Sequence, residues 1–421
     1  MDSKLSINVA SEIGELQGVI IHTPGAEVEN MTPSDAHRAL YSDILNLDVA
    51  RREYSQISGV LSKVTKTYEI KDLLYKVLCN SNAKQKLIER ICQHEGVGHL
   101  IEELNDIAPK QLVNTLIEGL PIKRDSLTSF LSKERYALPP LYNFYFTRDS
   151  SMSIYNEVLI GKMANKVRDR ETLIMEAIFN HSDTFDTKTI NPVSSISNSQ
   201  ISIEGGDVLI ARDDILIIGN SARTTTQGID FIVDKLCSLN PKKEQHIIVQ
   251  ELPYEPESFI HLDMVFTLLD VDSCMVFEPL ILKPNNYQTV LITVQNGKVK
   301  NIKNVENILV TLKGLGMDLK PIFCGGVVDS WTQEREQWHS GANFFAIGPG
   351  KVIGYARNTH TLDEMSKNGY NIIRAEEVIN GKVDLNSHKK CVITLNGSEL
   401  ARGGGGARCM TMPVSRGPVN W

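Results

Sequence analysis

The chain has 421 residues, of which 42% are hydrophobic and 23% charged, and it carries a formal net charge of −7. This is the composition of a soluble globular protein with one large or two ordinary domains; the acidic balance argues against nucleic acid as the main partner, and no run reaches the roughly 18 apolar residues that a membrane-spanning helix needs. The seven cysteines are scattered and never form a Cys-x-x-Cys pair, so they offer neither a disulfide framework nor a zinc site and suit a reducing cytoplasm, as does an N-terminus (Met1-Asp2-Ser3-Lys4) without a secretory layout.

In chain order, Leu16 to His22 is a short apolar run closed by Thr23-Pro24-Gly25, which predicts a buried strand and a turn. Asp35 to Leu61 carries Leu40, Ile44, Leu47 and Ala50 at helical spacing. From about Ile70 to Leu131 strand signals vanish, and leucines and isoleucines alternate with charges between breaks at Gly96-Val97-Gly98 and Gly119-Leu120-Pro121. That texture predicts several short amphipathic helices, hence a helical insertion over 71–135 between a first module (1–70) and the remainder (136–421).

From Tyr136 onward apolar hairpin-like segments recur at Ser153 to Gly161, Val208 to Gly219, Met264 to Phe277, Phe344 to Gly354 and Cys391 to Leu395. The intervals leave room for helices such as Arg170 to Phe179, Gly228 to Leu239 and Val305 to Leu315. Three hairpins end alike, in a glycine and then an arginine: Gly161 with Arg168, Gly219 with Arg223, Gly354 with Arg357. Such self-similarity favours an α/β propeller-like array over an ordinary doubly wound sheet, and a propeller gathers its functional groups on the central axis.

Four stretches can carry chemistry. In Asn143-Phe144-Tyr145-Phe146-Thr147-Arg148-Asp149, the three-residue spacing of Asn143, Phe146 and Asp149 lets them converge on one side of a turn. Glu204-Gly205-Gly206-Asp207 stands where a strand begins, with paired glycines that permit close approach. In His261-Leu262-Asp263, an extended backbone would send both polar side chains to one face. In Ser398 to Pro413, Gly403 to Gly406 predict a mobile loop delivering Cys409, flanked by Arg408, to a substrate. Taken singly, each reads as well as an Asx turn, a common Gly-Gly-Asp turn, a surface histidine, or a linker beside a buried cysteine. Together they supply one thiol, one histidine and three carboxylates at strand or turn ends. So negative a pocket suits a cation, and a planar guanidinium that carboxylates can grip bidentately fits best, with a thiolate to attack its carbon.

Phe146-Thr147-Arg148-Asp149, Glu204-Gly205-Gly206-Asp207, His261-Leu262-Asp263 and Arg408-Cys409-Met410-Thr411-Met412-Pro413, with the opening Ser11-Glu12-Ile13-Gly14-Glu15-Leu16, resemble the signature set of bacterial arginine deiminases, in family order and over essentially the whole chain. The resemblance implies a five-bladed pseudosymmetric αβ propeller (pentein) with an inserted α-helical domain. It implies Cys409 as nucleophile, Asp149 and Asp263 gripping the guanidinium, and His261, oriented by Glu204, as acid and then base. By the same resemblance Arg168 and Arg223 would bind the α-carboxylate, Asn143 and the Leu40 backbone would recognise the amino acid, and Phe146 would pack on its aliphatic chain. The implied reaction takes L-arginine to L-citrulline and ammonia through an amidino-cysteine intermediate, without metal or cofactor. One position departs: some relatives have an arginine where this chain has Gly404, and its nearest arginine is Arg402. Amidino transfer to an amine, deimination of another small guanidino compound, or a non-catalytic arginine sensor are the alternatives. A homo-oligomer is compatible with the sequence.

Overall fold

A computed structural model describes residues 4–33, 41, 43–195, 200–239, 242–327 and 329–421. Five of its sheets repeat one pattern, an antiparallel strand pair extended by a parallel strand across a helix. Ser151–Ile154 and Glu157–Ile160 pair antiparallel, and Thr189–Ile190 joins in parallel after helix Asp169–His181. Val208–Arg212, Ile215–Asn220 and Gln245–Glu251 repeat this around helix Thr226–Leu239, with Thr289–Gln295 and Lys298–Val305 added at the edge. Phe266–Asp270, Ser273–Val276 and Lys320–Phe323 form the next unit. Phe345–Gly348, Lys351–Tyr355 and Cys391–Leu395 form another, with Asn371–Arg374 at its edge. In the fifth unit the chain's ends meet: Met412–Arg416 pairs antiparallel with Leu16–Ile21, which pairs in parallel with Lys66–Glu69 after helix Leu47–Val64.

Local sequence explains these elements. Helix Leu47–Val64 begins at Asn46, whose side chain accepts from the Val49 N–H, and it buries Leu47, Ala50, Tyr54, Ile57, Val60 and Leu61 along one stripe. Of the helix expected over Asp35 to Leu61, residues 34–40, Leu40 among them, and 42 lie outside the described residues; Ile44 is in irregular chain, and the described helix is Leu47–Val64. Where short amphipathic helices are expected from about Ile70 to Leu131, the chain forms helices Ile70–Leu78, Ser81–Glu95, Ile101–Asp106, Pro109–Glu118 and Leu127–Leu131. The apolar faces of the first four share one core with helix Asp169–His181 and with Ile20, Val158, Ile160 and Met412, so these helices are packed onto the sheets, whereas Leu127, Phe130 and Leu131 of the last are exposed.

Two further expectations change. Cys391–Leu395 is not a hairpin; it is a single strand lying parallel to both its neighbours. Val305 belongs to the edge strand, and the helix there is Ile308–Gly314, started by the Asn307 side chain that accepts from the Val310 N–H. No helix among the described residues is long and apolar enough to cross a membrane.

Ile353 is fully buried in the core that also holds Cys409. Its replacement by alanine should cost about 2–5 kcal/mol, read as a lower urea midpoint with an unchanged slope.

Candidate active site

The loop ends just ahead of the first strand of each unit converge. Asp149 precedes Ser151–Ile154, Glu204 precedes Val208–Arg212, Asp263 precedes Phe266–Asp270, and Cys409 precedes Met412–Arg416. Asn143, Phe146, Asp149, Arg168, Glu204, Arg223, His261 and Cys409 line one slot, closed by Gly403 to Gly405. The slot measures about 30 Å³, the room of one water, and it borders an outer pocket of about 310 Å³ that shares Arg223, Gly403 and Gly404 and adds Glu257, Trp338 and Arg402. An amino acid therefore enters the slot only when Gly403 to Gly405 move outward.

The carboxylates are held from behind by buried arginines. Arg168 Nη1 donates to Asp149 Oδ2 at 2.7 Å, while its other nitrogens bond Glu171 and the Asn143 and Phe146 carbonyls. Arg408 Nη1 donates to Asp263 Oδ2 at 2.8 Å and grips Glu12 bidentately at 3.0 and 3.1 Å. In each carboxylate the second oxygen, Asp149 Oδ1 and Asp263 Oδ1, is buried without a hydrogen-bond partner. A buried acceptor left in this way costs about 1–3 kcal/mol unless a donor arrives.

His261 Nε2 lies 3.0 Å from Glu204 Oε2, and its Nδ1 lies 3.8 Å from Asp149 Oδ1. Burial pulls its pKa down, but Asp149, the Glu204 hydrogen bond and Asp207 prevail and hold it at about 9, so the ring is an imidazolium at neutral pH. Burial opposes ionisation of Glu204 too, yet Arg223, His261 and Arg168 bring it down to about 2. Burial, then Asp263 and Asp149, push the Cys409 thiol well above its usual range. The resting pair is thus a neutral thiol with an imidazolium.

The glycines are needed for space. A Cβ on Gly206 would stand 2.4 Å from His261 Nδ1, and one on Gly205 2.1 Å from the Arg148 carbonyl, so only glycines let these segments meet. The expected mobile run Gly403 to Gly406 is likewise packed: Gly403 would strike the Tyr145 hydroxyl, Gly405 the Phe146 ring and Gly406 Asn343. Gly404 alone has open space, at φ +83°, where a side chain would be strained. The loop's root is tied down by Glu53, whose carboxylate accepts from the Ser398, Glu399 and Leu400 N–H groups.

His261-Leu262-Asp263 is not extended as expected: only His261 is, and Leu262–Met264 forms a 3₁₀ turn. Asp207 Oδ1 accepts the Leu262 N–H at 2.9 Å and pins that turn, which still brings Asp263 Oδ2 to 3.8 Å from Cys409 Sγ. Arg357, third in the glycine-arginine series, bonds the Gly397 carbonyl and is not among the slot's lining residues. Leu40 lies outside the described residues. Arg402 pairs with Asp43 and Glu399 beside the outer pocket.

Sequence reasoning missed Glu12, Glu171, Glu53 and Asn343. The last was within reach, because Asn343 stands just ahead of Phe345–Gly348 as the other site residues stand ahead of their strands. Asp149, Glu204 and His261 offer ligand atoms within 4.8 Å of one another. Arg168 and Arg223 lie 4.0 and 3.8 Å from Glu204, so any further cation would join guanidinium groups already in place.

An arginine deiminase family model matches residues 37–416. The chain is 31% identical to arginine deiminase of Listeria monocytogenes serotype 4a, with 99% of each covered, and 32% identical to that of Bacillus cereus, with 98% of this chain and 99% of the relative covered. Among solved structures it is similar to a DDAH from Pseudomonas aeruginosa complexed with citrulline (TM-score 0.51, 14% identity, 95% of this chain and 99% of that one). It is also similar to the product-bound N-terminal domain of ArgZ, a cyanobacterial arginine dihydrolase (TM-score 0.53, 12% identity, 96% and 98%). The structures share the α/β pentein fold with this chain, and the full-length relatives and the family match show that the chain belongs to the arginine deiminase family.

Proposed function

We propose that the chain hydrolyses free L-arginine to L-citrulline and ammonia through a covalent adduct on Cys409. The observation that carries this reading is the pair of buried oxygens without a hydrogen bond, Asp149 Oδ1 and Asp263 Oδ1, on two carboxylates whose charges both act on the Cys409 sulfur. A guanidinium donates to both and so satisfies acceptors that otherwise cost stability.

Cation binding also solves the ionisation problem. Asp149 and Asp263 oppose a thiolate in the resting site; once a guanidinium lies between them, their field is neutralised and the thiol can ionise, its proton passing to solvent because His261 already carries one. The thiolate attacks the guanidinium carbon and a C–S bond forms. The C–N bond to a terminal nitrogen breaks, and His261 gives its proton to the departing ammonia. Neutral His261, held by Glu204, then takes a proton from water attacking the same carbon; the C–S bond breaks and citrulline leaves. Arg223, which borders both slot and outer pocket, receives the α-carboxylate, with Arg168 behind it. Asn143 contributes to amino-acid recognition and Phe146 covers the aliphatic chain.

In this reading the five repeated sheets are blades of a pseudosymmetric propeller closed by Met412–Arg416 against Leu16–Ile21. The first module ends near residue 70, a helical insertion fills 71–135, and 136–421 supplies the other modules. The placement of Asp149, Glu204, Asp263 and Cys409 at equivalent loop ends supports it.

Cys409→Ala should abolish citrulline and ammonia release while arginine still binds in calorimetry; turnover at the wild-type rate would overturn the covalent route. Glu204→Gln withdraws a partner that favours the imidazolium. The decline in kcat that accompanies loss of the His261 proton near pH 9 should therefore move to lower pH, by about one unit. Arg223→Leu should raise KM roughly 10- to 100-fold, as expected for a charge-assisted contact of about 1.5–3 kcal/mol, with a smaller effect on kcat.

A further inference from the structure

Asn343 is fully buried and stands at the one loop end of the five units to which the reading above gives no chemical part. We propose that Asn343 is a further catalytic residue, an amide that donates to the Cys409 sulfur and holds the thiolate through attack and release; this rests on Cys409 being the nucleophile.

The geometry is specific. Asn343 Nδ2 lies 3.3 Å from Cys409 Sγ and 3.2 Å from the Asp263 carbonyl, while Oδ1 accepts from the Arg408 N–H at 2.9 Å and the Cys409 N–H at 3.4 Å. Two N–H donors on one side of the amide and a carbonyl and sulfur on the other leave a single orientation, with the NH₂ toward the sulfur. The same side chain thus fixes the backbone on which the sulfur is carried. The glycine run makes room for it: a Cβ on Gly406 would stand 2.6 Å from Asn343 Oδ1 and 2.7 Å from its Cβ. This gives the fourth glycine a role separate from loop movement.

Charge around the sulfur shows why a neutral donor is useful. Asp263 and Asp149 oppose a thiolate, Arg408 favours one, and the phenols of Tyr145 and Tyr355 also feel its charge. Arg408, however, is held by Glu12 and Asp263, so its charge is largely answered before it reaches the sulfur. An amide hydrogen bond stabilises the anion without adding a cation that would repel the substrate's guanidinium.

The test is the pH dependence of Cys409 alkylation by iodoacetamide in the full-length protein, together with steady-state kinetics. Asn343→Asp retains the oxygen that accepts from residues 408 and 409 and replaces the donor with an acceptor. Its thiol should titrate about one pH unit higher or more, and kcat should fall about 10- to 100-fold, as for loss of one preorganised donor, with KM nearly unchanged. If Asn343→Asp does not fold, Asn343→Ser, which withdraws the amide from the sulfur, gives the same readout. An unmoved alkylation profile, whether or not kcat and KM change, would overturn the proposal. Alkylation reports on the thiol without turnover, so an absence of citrulline from the wild-type protein would refute the hydrolysis reading while this readout still decided the role of Asn343.

Discussion

Two buried arginines stand behind two buried aspartates, and the rest of the site follows from that constraint. Arg168 and Arg408 each occupy one oxygen of a carboxylate, at 2.7 and 2.8 Å, and leave the other oxygen without a hydrogen bond. Removing one member of such a buried pair typically costs about 3–5 kcal/mol, so these arginines hold the Asp149 and Asp263 carboxylates in place and aimed in a buried interior. Arg408 does more than this. Through Glu12, the Val208 carbonyl and Asp263 it joins the N-terminal loop to two other units, and its neighbour in sequence is Cys409. The chain segment that carries the sulfur is therefore fixed by the same ion pairs that fix a guanidinium grip.

The resting state is kept unreactive by electrostatics. Burial and two carboxylates hold Cys409 as a thiol, while the carboxylates around His261 hold it as an imidazolium. Free solvent meets neither a thiolate nor a neutral base. In the proposed reaction the incoming cation would answer the charge that suppresses the thiolate, so that the substrate itself would complete the catalytic charge distribution. Closure by Gly403 to Gly405 adds water exclusion, which strengthens each of these interactions.

Much of the site was legible in the sequence because its residues fall at a repeated place, the loop end before a strand, in motifs dense with glycine, carboxylate and histidine. Asp149, Glu204, His261 and Cys409 meet in one slot as those motifs suggested. Asn343 was legible by its place ahead of an apolar strand but not by its chemistry, since an isolated asparagine carries no charge or nucleophile signal. The buried ion-pair partners Glu12 and Glu171 were equally hidden, because their significance lies in contacts with Arg408 and Arg168 that only tertiary packing reveals. The His261-Leu262-Asp263 segment misled for a related reason: alternation assumes an extended chain, and the long-range hydrogen bond from the Leu262 N–H to Asp207 imposes a turn instead. Likewise a glycine run reads only as freedom to move until the groups pressed against it, Tyr145, Phe146 and Asn343, show that it also makes room for close packing.

The most direct test of the central claim is the intact mass of the protein quenched during turnover with L-arginine, with the modified peptide identified. The account predicts an adduct on Cys409 equal to arginine less one ammonia, appearing and decaying with citrulline formation. An adduct carrying only the amidino group, or citrulline formed with Cys409 never modified, would contradict it.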